Sequence, residues 1–217
     1  MFIQLLIATV PIAVVLAISE YLWRKKLIAG ERGRKFIHIL SGIWMAFWPF
    51  YIPFDGIFML GCAALTLLLY SRFTSLFHAI YAVKRKTYGE LFFALAIIVC
   101  AYIGREAWIF TTSILLLALA DGGAAVVGRF WGIGNQYLVF GSKNLLKSRA
   151  GTAAYCLLAY LSIGVGLLLG GSHVLAGNVS IFIVLPLAMT FMENISPYGL
   201  DNILTPVLAT LVLNAMI

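Results

Sequence analysis

Charge is what this 217-residue chain has least of: Asp, Glu, Lys and Arg together make up 11% of it, and only eight residues are acidic. Soluble domains carry about a quarter charged residues, so a water-exposed globular surface is excluded for most of the chain. Cysteine is scarce too. Cys62, Cys100 and Cys156 stand alone in apolar stretches. They form no Cys-x-x-Cys pair and no metal-ligand spacing, which excludes a thiolate metal site and fits small buried side chains. The order Gly-x-x-x-x-Gly-Lys-Ser/Thr is absent, so there is no Walker A loop. No internal repeat, low-complexity tract or soluble domain stands out.

What the chain has instead is apolar residues, 63% of the total, with a mean hydropathy of +1.02. That is the composition of a bilayer protein. A spanning helix needs roughly 20 apolar residues to cross about 30 Å of hydrocarbon. The candidate segments are 2–22, 36–54, 57–71, 88–104, 107–127, 150–170, 179–195 and 203–217. Segments 57–71 and 179–195 are short or broken. The expected fold is therefore an all-α polytopic transmembrane bundle of seven to eight spans, a single integral membrane domain over 1–217. The first segment follows no basic residue and is too long for a signal-peptide core, so it is expected to be retained as a span.

In a soluble protein the net charge of +7 would suggest nucleic acid as a partner. Here the basic residues sit in short blocks between apolar runs and read as topology signals, with no nucleic-acid partner expected. If the N-terminus is outside, fourteen of the fifteen Lys and Arg residues fall in one set of loops, and only Arg105 falls in the other. Cytoplasmic loops accumulate basic residues, so that set is expected to be cytoplasmic. The acidic residues Glu20, Glu31, Glu90, Asp121, Glu193 and Asp201 fall on or near the same face, a clustering that the positive-inside rule does not explain.

Four elements on that face carry candidate chemistry. Arg34-Lys35-Phe36-Ile37-His38 enters the second span, and His38 lies one turn after Arg34 on the same helical face, within reach of a head group or phosphate. A structural histidine near a helix end is the alternative. Asp121 ends an apolar run and precedes Gly122-Gly123-Ala124-Ala125-Val126-Val127-Gly128-Arg129. An intramembrane carboxylate is costly unless paired, hydrated or metal-bound, and the small residues after it let a helix or a phosphate approach the backbone. The competing reading is helix packing beside an interfacial Asp.

The third element is the loop 129–149, the longest polar-rich segment, with Lys143, Lys147-Ser148 and then Gly151-Thr152. Lys143 and Lys147 share a face if the segment is helical, and the set suits phosphate groups as well as anionic lipid. The fourth is Glu193-Asn194-Ile195-Ser196-Pro197-Tyr198-Gly199-Leu200-Asp201-Asn202. Pro197 and Gly199 turn the chain back, so that Glu193 and Asp201 return to the face of Asp121. These three carboxylates suit Mg²⁺, which takes one or two carboxylates and leaves other positions to water and phosphate; a plain polar turn is the alternative. Asn178-Val179-Ser180 matches a glycosylation sequon, a weak signal this close to a span.

Taken in this order, the elements resemble the polyprenol, dolichol and phytol kinase family, which transfers phosphate from CTP or a related nucleotide to a lipid alcohol. The resemblance runs from 34 to 206 through Arg34-Lys35-x-x-His38, Ala120-Asp121-Gly122 with Gly128-Arg129 and Gly132, Lys147-Ser148 with Gly151-Thr152, and Glu193 followed by Asp201-Asn202 and Pro206. It implies Asp121, Lys147, Glu193 and Asp201 as catalytic residues, with Asp121, Glu193 and Asp201 holding Mg²⁺. It implies Arg34, Lys35, His38, Gly128, Arg129, Lys143, Ser148, Gly151, Thr152 and Asn202 as nucleotide- or phosphate-binding, and an isoprenoid or other lipid alcohol as the partner. A groove flanked by Gly122 and Ala125 is the expected place for its tail.

Phosphatidate cytidylyltransferases are similar in the Asp-plus-Lys region, but their Ser-Pro-Lys-Lys-Thr pattern followed by an acidic residue is replaced here by Leu145-Leu146-Lys147-Ser148-Arg149-Ala150-Gly151. The chain also lacks a proline shortly before Lys147, unlike many of the kinases. A small transporter would share intramembrane carboxylates and small-residue helices, but would place them near mid-bilayer.

Overall fold

A computed structural model describes residues 2–28, 30–74, 78–81, 88–139, 146–171, 174 and 179–216. The helices are α1 (Phe2–Arg24), α2 (Glu31–Ala46), α3 (Phe54–Thr74), the single turn α4 (His78–Tyr81), α5 (Gly89–Ile103), α6 (Ala107–Leu115), α7 (Asp121–Trp131), α8 (Arg149–Leu169), α9 (Val179–Ile195) and α10 (Asp201–Asn214). Six of the eight apolar segments read from the sequence coincide with one helix apiece; 36–54 runs past the end of α2 through a 3-10 turn at Trp48–Phe50, and 107–127 covers α6, the π-helical turn Leu116–Ala120 and part of α7. Four rods are long and apolar enough to cross a membrane: Ile3–Arg24, Phe54–Thr74, Ala107–Trp131 and Arg149–Leu169. Segment 57–71 is an unbroken 21-residue helix. The shorter apolar helices Gly89–Ile103 and Ser180–Ile195 pack among them.

The long rod Ala107–Trp131 is the axis of the bundle, with 78% of its most apolar stretch buried against neighbours. It consists of α6, a π-helical turn at Leu116–Ala120 and α7. α2, α8 and α10 pack directly around it; α1 lies on α2, α5 on α10, α3 on α5, and α9 on α8 and α10. Outward-facing side chains of the peripheral helices are large and apolar, for example Ile7, Val10 and Val14 on α1 and Leu157, Leu161 and Leu168 on α8. Water offers such a surface nothing, while lipid tails match it.

Inside, helices are joined by hydroxyl contacts, as expected where lipid supplies no hydrophobic drive between helices. The Thr210 hydroxyl of α10 lies 2.8 Å from the Ser113 hydroxyl on the axial rod and 3.2 Å from the Cys100 sulfur on α5. Cys100 is fully buried, as its apolar surroundings in the sequence imply. α2 approaches the axis closely, because a methyl group on Gly42 would run into Ala118 and one on Gly122 into Ile39.

The architecture departs from an all-helical one in a single small feature. Gln136–Leu138 (β1) pairs antiparallel with Leu146–Ser148 (β2), Tyr137 lying opposite Lys147. Lys147 therefore stands on a strand, so the condition under which Lys143 and Lys147 would share a helical face is not met at Lys147. Three residues per strand are too few for an alternating pattern to show in sequence. Lys143 itself, like Asn178 of the sequon, lies outside the described residues.

Candidate active site

The π turn precedes Asp121 directly. π turns widen the helix by one residue and leave backbone groups outside the regular ladder, which is why they recur at functional sites. Here the carbonyl of Leu117 receives a hydrogen bond from His38 Nε2 at 2.7 Å. The same imidazole nitrogen lies 3.2 Å from Asp121 Oδ2, and Lys35 Nζ donates to that carboxylate oxygen. α2 thus fastens its charged end to the start of α7 through both side chains, with Lys35, His38 and Asp121 all buried.

Two further carboxylates arrive from the other side. α9 ends just beyond Glu193, and the chain reverses through Tyr198 and Gly199, at φ values of 55° and 88°. Gly199 takes this conformation freely; Tyr198 adopts it against its steric preference. The reversal delivers Asp201 to the first turn of α10, where the helix dipole favours a negative charge. Asp121, Glu193 and Asp201 each offer an oxygen within 4.8 Å of the others.

Lys147 reaches in from β2. Its ammonium donates to Glu193 Oε1 at 2.6 Å and also to the Glu193 carbonyl oxygen. Lys35 therefore neutralises Asp121 and Lys147 neutralises Glu193, while Asp201 makes no ion pair among the described residues. Oxygens bound to an octahedral Mg²⁺ at about 2.1 Å sit roughly 3 to 4 Å apart. Three converging carboxylates, one of them lacking an ammonium partner, fit such a hard cation with little movement.

A cleft of about 250 Å³ opens over this cluster. Its walls include Arg34, Lys35, Gly128, Arg129, Lys147, Ser148, Gly151, Thr152 and Asn202 beside the three carboxylates. Every candidate named from the sequence that lies among the described residues lines it, apart from His38, which touches it only through Asp121. The small residues keep α7 and the first turn of α8 in contact: a methyl group on Gly151 would meet the Ala124 carbonyl at 3.1 Å and the Gly128 backbone at 3.3 Å. The first turn of α8 lines the cleft, with its Arg149 N–H held by the Asn135 carbonyl at 3.1 Å and its Gly151 N–H by Ser148, and the positive end of the helix dipole there favours an anion.

Some candidates have other engagements. Ser148 caps α8, its hydroxyl accepting from the Gly151 N–H at 3.1 Å. Asn202 donates its amide to the Gly89 carbonyl at 2.8 Å, tying α10 to α5. Arg34 pairs with Glu31 at 2.8 Å. Of the two small residues expected to flank a tail groove, Gly122 is covered by Ile39, while Ala125 lines an open depression between α2 and α7.

Sequence reasoning missed Tyr137 and Gln136 of β1 and the roles of Asn194 and Ser196. The Tyr137 hydroxyl joins Thr152 and Asn194, whose side chains lie 3.1 Å apart. The adjacency of Asn194 to Glu193 was the available signal; nothing local to Tyr137 marked it.

The chain is 33% identical over 219 aligned residues to a protein named phytol kinase from Synechocystis sp. (strain ATCC 27184 / PCC 6803 / Kazusa), an alignment covering 95% of this chain and 88% of that protein. No family model matches the chain. No solved structure matches it.

Proposed function

Since the chain belongs to the polyprenol and phytol kinase family, we propose that it is a lipid kinase moving the terminal phosphate of a nucleoside triphosphate, CTP by the family resemblance, to an isoprenoid alcohol. The observation that carries this reading is the convergence of Asp121, Glu193 and Asp201 with Lys35 and Lys147 under one cleft. Phosphoryl transfer depends mainly on positioning and charge stabilisation, and this cluster supplies both.

Each methylene moved from lipid into water costs about 0.8 kcal/mol, and a triphosphate is too highly charged to enter hydrocarbon. The two substrates meet at an interface, in this reading the cytoplasmic one, with the N-terminus outside and seven to eight spans. The basic residues gathered in one set of loops support that orientation.

Mg²⁺ held on Asp121, Glu193 and Asp201 supplies positive charge against the phosphates. Arg129, Gly128 and the amino end of α8 receive the triphosphate, and Lys35 and Lys147 balance the carboxylates around it. The alcohol oxygen attacks the terminal phosphorus, its proton passes to the Asp121 carboxylate, and the bond to the bridging oxygen breaks to release nucleoside diphosphate.

The test is purified protein in nanodiscs with Mg²⁺, γ-labelled CTP, ATP or UTP, and a panel of lipid alcohols plus phosphatidic acid, for the native chain and Asp121→Asn. Label appearing in a lipid phosphate, and lost in the variant, is the expected result. Label released only as pyrophosphate with phosphatidic acid would overturn it in favour of nucleotidyl transfer.

A further inference from the structure

A second cavity lies behind α2, with walls from α1, α2, α3 and α5 and a volume of about 170 Å³. It contrasts with the cleft in chemistry. Along α2 it follows Arg34, Ile37, His38, Ser41 and Met45, a stripe at helical spacing. Ile12, Leu60, Ala64, Phe93 and Ile97 close it from the other helices. Its charged groups lie toward one end: Arg34, which also lines the cleft, His38, which reaches Asp121 at 3.2 Å, and Glu90, held by Arg72 at 2.8 Å; at the other end stands Trp48, with its indole N–H unpartnered among the described residues.

One turn beyond His38, the Ser41 hydroxyl is 3% exposed and makes no hydrogen bond among the described residues. An orphaned buried hydroxyl in an otherwise apolar cavity points to a missing polar partner.

We propose that this cavity holds the hydrocarbon tail of the acceptor, a single unbranched or methyl-branched chain, with its hydroxyl end between Ser41, His38 and Asp121. The proposal rests on the kinase reading for the acceptor's identity and adds the place and shape of its site. From Arg34 to Met45 the stripe is eleven residues, roughly 16 Å of helix. An extended carbon chain advances about 1.25 Å per bond with bonds near 1.5 Å, so the cavity accommodates about a dozen carbons. The rest of a longer tail continues into the bilayer. A second acyl chain has no room beside the first, so the site selects single-chain alcohols over diacylglycerol.

The depression on the opposite side of α2, lined by Phe36, Ile39, Val126 and Phe130, is rimmed by Glu31, Arg32, Lys35 and Arg129. Charges around its mouth make it the poorer host for hydrocarbon. The two substrates consequently reach Asp121 from different sides, the triphosphate through the cleft and the alcohol along α2.

The experiment uses the full chain in nanodiscs with a C15 prenyl alcohol carrying a mid-tail diazirine, irradiated and mapped by peptide mass spectrometry, alongside turnover of C5 to C20 prenols. Label on α2 and α3 around Ser41, Leu60 and Ala64, competed by farnesol and not by diacylglycerol, is the expected result. Ala64→Trp should raise KM for C15 and C20 alcohols about tenfold while leaving C5 turnover unchanged, which also shows that the variant folds. Ala125→Trp, which narrows the opposite depression and also the cleft, should weaken nucleotide binding but leave the chain-length profile unaltered.

Label confined to Phe36, Val126 and Phe130, or a chain-length profile that moves with Ala125→Trp and not with Ala64→Trp, overturns the proposal. Label in the cavity without phosphate transfer to any alcohol upholds the tail site and sinks the kinase reading instead. Transfer with label elsewhere does the reverse.

Discussion

The cleft and the cavity share Arg34 and meet at the His38–Asp121 contact, yet they are built on opposite rules. Around the cleft, most side chains are charged, hydroxylic or glycine, and the buried charges Lys35, Asp121 and Glu193 are paired. Around the cavity, apolar residues dominate and the charged groups are confined to the end near Asp121. A membrane enzyme that joins a triphosphate to a lipid has to hold both environments within a few ångströms, and α2 is the element that does so. Its Lys35 and His38 fasten the charged side, while Ile37, Ser41 and Met45 line the apolar one.

The sharpest way to break that contrast is at Asp121. Asp121→Asn should lower kcat by about a thousandfold or more, through loss of a positioned proton acceptor and cation ligand. It also strands the buried Lys35 ammonium, which typically costs about 3–5 kcal/mol. The double variant Asp121→Asn with Lys35→Met should regain thermal stability in a detergent melt without regaining turnover. Recovery of both would mean that Asp121 is a structural partner of Lys35 and no more.

On the far side of the cluster, Lys147→Met should reduce turnover about a hundredfold and leave Glu193 uncompensated. Pairing it with Glu193→Gln should restore stability alone. If either single variant retained native kinetics, the cleft would have to be read as an ion-pair network holding α9 to β2.

Most of the apolar segments were legible because their runs are long enough to override local ambiguity; 36–54 hid a break, since its helix stops at Ala46 and a 3-10 turn follows at Trp48–Phe50. The site candidates were legible because charge is rare here, so each charged residue near the interface stood out. The pairing of Lys35 with Asp121 was not, since 86 residues separate them and only packing of α2 on the axial rod brings them together. The π turn was hidden in Leu116-Leu117-Ala118-Leu119-Ala120, a sequence indistinguishable from regular helix. That Lys147 stands on a strand was not legible, because β2 is three residues long and its partner strand lies across a loop. The tail cavity needed four helices in place before it existed at all.

α2 can be displaced without touching any charge. Gly122→Val would press on Ile39; overpacking of this kind costs about 1–3 kcal/mol. Pushing α2 outward pulls Lys35 and His38 away from Asp121, and turnover should fall about tenfold. Ile39→Ala makes room for the new side chain, so the double variant should recover most of the loss, a coupling that independent sites would not show.

The smallest effect is expected at the rim of the cleft, where Tyr137 joins Thr152 and Asn194. Tyr137→Phe removes both hydrogen bonds of that hydroxyl, each worth about 1 kcal/mol, while the contact between Thr152 and Asn194 at 3.1 Å survives. β1 then loses one tie to the amino end of α8, and KM for the nucleotide should rise about two- to fivefold with kcat unchanged. Thr152→Val removes both bonds of its own hydroxyl and should weaken nucleotide binding further, again without a change in the chain-length profile for the alcohol. A shift in that profile would join the rim to the tail cavity, and the separation of the two substrates on either side of α2 would fail.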